Sequence, residues 1–137
     1  MTTFVDSSAW YAAADADDAS HASITRVLPE AMPLVTSDHV IVETWFLVNR
    51  RLGRLAAERF LRRCTTEGLS IEDVGRADLE HAVEIGRRFA DQAFSIVDRT
   101  SFSVMERLGI ERVVSLDDDF AIYRWGPGRR RSFTVLR

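Results

Sequence analysis

Short apolar runs separated by helix-length segments recur along the whole chain, and no other feature restricts its fold so strongly. Phe4-Val5, residues 34–36, the alternating stretch 69–74, residues 112–116 and residues 132–136 read as strands. Residues 9–14, 20–28 (closed by Pro29), 39–51 (punctuated by Gly53), 55–64, 78–89 and a segment from Asp98 to a stop at Gly109 read as helices. A short helix is expected after Asp117-Asp118-Asp119, followed by a Gly126-Pro127-Gly128 turn. Strands alternating with helices predict an α/β fold, a three-layer α/β/α sandwich with a central parallel sheet. With 137 residues and no repeat, low-complexity tract or linker, one domain over 1–137 is expected.

Several classes of chemistry are excluded by what the chain lacks. All 18 basic residues are Arg, so a Schiff-base lysine, a Walker lysine and a receiver-type phosphoacceptor site with its lysine are ruled out. The single Cys64 permits no intrachain disulfide and no cysteine-based zinc cluster, and it reads as a packing residue. His21, His39 and His81 are too widely spaced for a helical zinc pair. No run approaches the roughly 20 apolar residues of a membrane span, and no basic segment leads into an apolar stretch at the start. A soluble protein of a reducing, cytoplasmic compartment is expected.

The acids carry the chemical signal. Phe4-Val5 runs into Asp6, and the Val-rich run 112–116 ends at Asp117, so both carboxylates are expected at the same edge of the sheet. Asp98 follows the apolar approach Phe94-Ser95-Ile96-Val97 and opens a helix. Glu43 is the only charge within residues 40–48, an otherwise apolar helix expected to be buried. Asp6 and Asp98 are also suited to capping helices, and Glu43 to pointing outward. Taken together, four carboxylates converging on one rim would repel each other and take up protons without a cation. A hard divalent ion with oxygen ligands resolves that conflict, and such a site suits phosphodiester hydrolysis.

The chain resembles the PIN domain and, within it, the VapC ribonuclease toxins of bacterial toxin–antitoxin pairs. The likeness rests on Phe4-Val5-Asp6-Ser7-Ser8, Glu43 in its apolar helix, and the ordered block from Ser95-Ile96-Val97-Asp98-Arg99-Thr100-Ser101-Phe102 through Gly109-Ile110 to Val114-Ser115-Leu116-Asp117-Asp118-Asp119-Phe120. The resemblance implies an acidic quartet of Asp6, Glu43, Asp98 and Asp117, with Asp6, Asp98 and Asp117 as ligands of Mg²⁺ or Mn²⁺. It further implies cleavage of structured RNA (tRNA or rRNA) leaving a 5′-phosphate, a VapB-type antitoxin that wraps the toxin, and a homodimer. Ser115 stands where relatives commonly have Thr. Ser8, Ser115 and Asp119 are candidates for supporting the acids from behind, with a turn role equally open to the two serines and a solvated turn or cap of the following short helix open to Asp119.

The charge distribution adds a substrate surface. The net charge is −3, yet residues 50–63 and 124–137 each carry +5. Arg50, Arg51, Arg54 and the trio Arg129, Arg130, Arg131 are candidate phosphate contacts, although a solvated helix face or tail explains such runs equally well. Trp45 and Phe46 read as core or dimer contacts. The rival to an enzyme is a catalytically inactive PIN-like module that only binds protein.

Overall fold

Strands of three or four residues are too short to stand alone, and they are held by pairing side by side in one parallel sheet. The computed structural model describes residues 1–66 and 68–137. Its elements in chain order are β1 (Thr3–Val5), α1 (Ser7–Ala14), α2 (His21–Glu30), β2 (Leu34–Ser37), α3 (Asp38–Leu52), α4 (Arg54–Thr66), β3 (Leu69–Glu72), α5 (Arg76–Arg88), α6 (Ile96–Leu108), β4 (Arg112–Val114), α7 (Asp119–Ile122) and β5 (Thr134–Leu136), with a 3₁₀ turn at Pro127–Arg129. The sheet order is β3-β2-β1-β4-β5, every pairing is parallel, and Phe4 stands in register with Val35 on one side and Val113 on the other.

Alternation along each strand divides the core in two. Phe4, Val35 and Val113 face a layer containing Val40, Ile85, Phe102, Met105 and Phe120, whereas Val5 and Val114 face Ala9, Ala12 and Ile24 of α1 and α2. The expected α/β/α sandwich is therefore present. The connections reverse direction at β1, which has β2 on one side and β4 on the other. Ligands of such sheets collect beyond the strand ends at that reversal.

Local chemistry sets the helix ends. Ser37 Oγ caps α3 by accepting from the Val40 N–H at 3.1 Å, Asp38 lies in its first turn, and Arg50 and Arg51 in its last. Gly109, at φ 66°, closes α6 in the left-handed conformation that a glycine adopts without strain.

Some boundaries differ from expectation. Pro29 lies inside the last turn of α2, where its ring fits helical φ and the bond it forgoes belongs to exposed Thr25. Asp98 does not open its helix: α6 begins at Ile96 with Ser95 as its N-cap, and Asp98 is its third residue. Nor is α3 buried all round. Val40 meets the sheet layer while Ile41 and Val48 pack toward α4, leaving Val42 and Phe46, four residues apart, 55% and 61% exposed. Cys64 packs against Ile41 and Phe60 as expected, and burial pushes its thiol up to about 11.

The α5–α6 pair is tied by a buried acid. Asp78 Oδ1 accepts from Ser103 Oγ at 2.8 Å and from Arg107 Nε at 3.1 Å, while Arg107 Nη1 reaches Glu72 at 3.2 Å. Burial alone would raise the Asp78 carboxyl, but the bonds from Arg107, Ser103 and the Gly75 N–H outweigh it and hold it below its ordinary value. Asp78→Ala leaves Ser103 and Arg107 without their acceptor and is expected to cost about 2 kcal/mol in urea unfolding. Because the folded-state value is depressed, this contribution is present above about pH 4 and fades as pH falls below it.

Candidate metal centre and acidic active site

The end of β1 delivers Asp6 to the reversal point with only 2% of its surface exposed. It occupies the N-cap position of α1, but its carboxylate does not cap; the backbone carbonyl accepts from the Ala9 and Trp10 N–H groups instead. The carboxylate accepts from two serines, with Ser8 Oγ at 2.9 Å and Ser115 Oγ at 3.0 Å, both on Oδ2. Those serines are themselves fixed. Ser8 Oγ accepts from the Leu116 N–H at 2.9 Å, and Ser115 Oγ accepts from the Asp117 N–H at 3.0 Å. The segment leaving β4 is thus fastened to the start of α1, with Asp6 in the fastening.

Asp117 sits on that segment, and its Oδ1 accepts from the Asp119 N–H at 2.9 Å, an Asx turn that holds both acids on one short arc. Asp98 arrives from α6. Ser95 Oγ accepts from the Asp98 N–H and the Ser95 N–H donates to Asp98 Oδ2, each at 3.0 Å. The capping role of Asp98 is therefore present alongside its place in the cluster. Carboxylate oxygens of Asp98, Asp117 and Asp119 all lie within 4.8 Å of one another. Glu43, half-buried, accepts from Ser7 Oγ.

The electrostatics of this rim are those of crowded, partly desolvated anions. Burial raises Asp6, opposed by Ser8, Ser7 and Ser115 and reinforced by Asp117. Burial likewise raises Glu43 against the bond from Ser7, with Asp6 and Asp117 adding to the rise. Burial pushes Asp98 up to about 7 against the bond from the Ser95 N–H, with the neighbouring carboxyls of Asp119, Asp6 and Asp117 adding to the rise. Burial raises Asp119 as well, with Asp117 and Asp118 adding repulsion. Among the described residues, no Arg or His forms an ion pair with any of these five acids. A hard divalent cation fits this donor set, which is all oxygen, strongly anionic and otherwise uncompensated.

The structure therefore brings Asp6, Glu43, Asp98 and Asp117 to one rim, with Ser8 and Ser115 behind Asp6. Asp119 lies nearer than its expected supporting place, inside the tight triad, while Asp6 stands beside it. Ser7 and Ser95, the partners of Glu43 and Asp98, do not stand out in the sequence as site residues, although the Ser95-x-x-Asp98 spacing is a capping-box signal that locates the latter.

The candidate RNA-contacting arginines are exposed and separate from the cluster. Arg50 and Arg51 lie about 10–12 Å along α3 from Glu43. Arg51 sits over the Tyr11 ring at 5.0 Å and Arg54 pairs with Glu58 at 3.6 Å. Arg129 lies over Phe89 at 5.7 Å and Arg131 over Trp125 at 5.2 Å, with Arg130 exposed between them. Among the described residues no helix is long and apolar enough to cross a membrane.

A doubly wound parallel sheet with acids gathered at its reversal point is the arrangement of a PIN domain, and the PIN domain family matches residues 3–126, so this chain belongs to that family. Within the family its likeness is to VapC ribonucleases. It is 41% identical over 120 residues to the 23S rRNA-specific endonuclease VapC20 of Mycobacterium tuberculosis, spanning 86% of this chain and 91% of that one. It is 28% identical over 134 residues to ribonuclease VapC26 of the same organism, spanning 97% and 90%. The crystal structure of Mycobacterium tuberculosis VapC20, described as a sarcin–ricin loop cleaving toxin, superposes with a TM-score of 0.84 at 36% identity, covering 89% of this chain and 94% of that one.

Proposed function

We propose that residues 1–137 form one nuclease domain, a metal-dependent endoribonuclease that acts as the toxin of a toxin–antitoxin pair. The observation that carries this reading is the partly buried cluster of carboxylates at the sheet reversal, with no cationic side chain paired to it among the described residues. Its likeness to enzymes named for 23S rRNA and for the sarcin–ricin loop supports a structured ribosomal RNA loop as substrate, with tRNA as the other candidate. A VapB-type antitoxin as partner, a homodimeric state and a cytoplasmic location complete the proposal.

Asp98, Asp117 and Asp119 would hold Mg²⁺ or Mn²⁺, with Asp6 beside them to complete the anionic wall. The ion would supply a Lewis acid that acidifies water and offsets the charge of the scissile phosphate. Ser8 and Ser115 keep Asp6 in one orientation, and the Asx turn does the same for Asp117. Glu43, aimed by Ser7 and raised by burial, is suited to receive the proton of the attacking water. Water adds to phosphorus in line as one of its protons passes to Glu43, the bond from phosphorus to the 3′ oxygen breaks, that oxygen takes a proton from solvent and leaves as a hydroxyl, and the phosphate remains on the 5′ end of the downstream fragment.

The test is cleavage of ribosomes and total RNA by purified protein in Mn²⁺ or in EDTA, with 5′ ends mapped by sequencing. Discrete cuts in one structured loop are expected with the ion and none without it. No cutting of any RNA in Mn²⁺ would reject the enzyme and leave a protein-binding module. Arg50 and Arg51, together with Arg54 and Arg129 to Arg131, are proposed phosphate contacts. Arg50→Gln with Arg51→Gln is expected to weaken RNA binding and to lower its log–log salt slope by about one unit for each phosphate no longer neutralised. An unchanged slope would remove these two from the interface. Arg50 should account for more of the effect, because Arg51 is engaged with Tyr11.

A further inference from the structure

Arg99 follows Asp98 in α6 but points away from the acids and onto α5. Its Nη1 donates to the Ala82 carbonyl at 2.8 Å and its Nε to the Ser95 carbonyl at 3.3 Å. The Ser95 carbonyl also accepts from the Arg99 backbone N–H at 3.0 Å. Ser95 is the residue whose N–H and hydroxyl together fix Asp98. One guanidinium therefore joins the first turn of α6, and the acid it carries, to the middle of α5.

The opposing surface admits the guanidinium in this position because residue 86 is glycine and carries no Cβ. A Cβ there would collide with Arg99 Nη1 and approach its Cζ to 3.3 Å. Gly86 has an ordinary helical backbone within α5, so no positive φ explains its presence. Glycine inside a helix is disfavoured relative to alanine, and a close approach by another group is the physical reason to retain it.

We propose that Arg99 is a positioning residue for the Asp98 carboxylate, acting through Ser95, and that Gly86 is the notch that admits its guanidinium. The inference rests on the reading of Asp98 as a cation ligand. Among the described residues Arg99 forms no ion pair with the acids of the cluster, and its side chain donates to backbone carbonyls alone. Its effect is to stop the first turn of α6 from rocking against α5, which keeps the free oxygen of Asp98 within reach of Asp117 and Asp119.

Two variants separate positioning from simple stability. Gly86→Ala leaves every charge in place and improves helix propensity, yet is expected to displace the guanidinium from its present position; Arg99→Met removes the two side-chain bonds and keeps most of the stem. Mn²⁺ affinity of the full chain is measured by titration calorimetry, alongside the melting temperature in EDTA. Both variants are expected to bind Mn²⁺ about 10-fold more weakly, with Gly86→Ala melting no lower than the parent. Arg99→Lys should not restore affinity, because one ammonium cannot reach both carbonyls. Asp98→Asn serves as the reference. If it binds Mn²⁺ as the parent does, the cation reading itself fails. If Asp98→Asn loses binding while Gly86→Ala and Arg99→Met retain parental affinity, the positioning role alone is overturned.

Discussion

Asp98→Asn is expected to lower the single-turnover cleavage rate by about 1000-fold or more while leaving the fold intact. Asn preserves size and still offers an oxygen to the Ser95 N–H, so the first turn of α6 keeps its cap. What it removes is an anion from a cluster where burial and neighbouring acids already push that carboxyl up to about 7. Relief of that repulsion should leave the metal-free melting temperature equal to the parent's or higher. Far-UV circular dichroism and the melting curve check the fold; quench-flow or gel assays on the cleaved loop check the rate. Turnover within tenfold of the parent would contradict the assignment of Asp98. The same substitution at Asp6 also keeps an oxygen for Ser8 and Ser115, which both donate to Oδ2, so Asp6→Asn is expected to hold the segment leaving β4 in place while removing the charge.

The second large effect joins pH, cation and stability. Asp6, Glu43, Asp98 and Asp119 are all raised, chiefly by burial. A carboxyl whose folded-state value exceeds its unfolded value of about 4 stabilises the fold below that value and loses the contribution as pH rises through the folded one. For Asp98 that window extends to about 7. Metal-free protein should accordingly lose stability between about pH 4 and 7. A divalent ion compensates the charge only when the acids are ionised, so its stabilisation must grow over the same range. At 100 times its dissociation constant the ion is worth about 2.7 kcal/mol, or roughly 8 °C for a chain of this size. Scanning fluorimetry in Mn²⁺ and in EDTA should give a small gap at pH 5 and the full gap at pH 8. Equal gaps at both would mean that the ion binds elsewhere.

The acids themselves are the most legible part of the site. Asp6 and Asp117 each end a short apolar run, and in a parallel sheet that placement leads to one rim whatever the details of packing. The strand order and the side-chain partners are not legible, because they depend on contacts between residues far apart in the chain, such as Ser115 on Asp6 and Ser7 on Glu43. Asp98 is recognisable as an acid of the site, but the start of its helix is not, because Ile96 and Val97 of the apolar approach already belong to α6. Phe94 is buried in the aromatic cluster with Phe102 and Tyr123, which makes a loop as apolar as a strand. Glu43 stands out because its helix is apolar enough to suggest burial all round; its neighbours Val42 and Phe46 are in fact exposed. A run of apolar residues reports how much surface wants cover and not whether the cover lies within the same chain.

Asp119 shows the same limit at closer range. Three consecutive aspartates after β4 look alike as a sequence, yet Asp118 is exposed and reaches Arg137 at 2.9 Å while Asp117 and Asp119 turn inward to Asp98. The Asx turn decides the difference, since it places alternate residues of the run on the same side.

Diffraction from crystals of the full chain soaked in Mn²⁺, with data collected at the manganese edge, tests the proposed centre most directly. An anomalous peak is expected within about 2.3 Å of oxygens from Asp98, Asp117 and Asp119, and it should vanish in Asp98→Asn. A peak bound elsewhere on the surface, or an acidic rim that stays free of metal at millimolar Mn²⁺ and pH 8, would contradict the account.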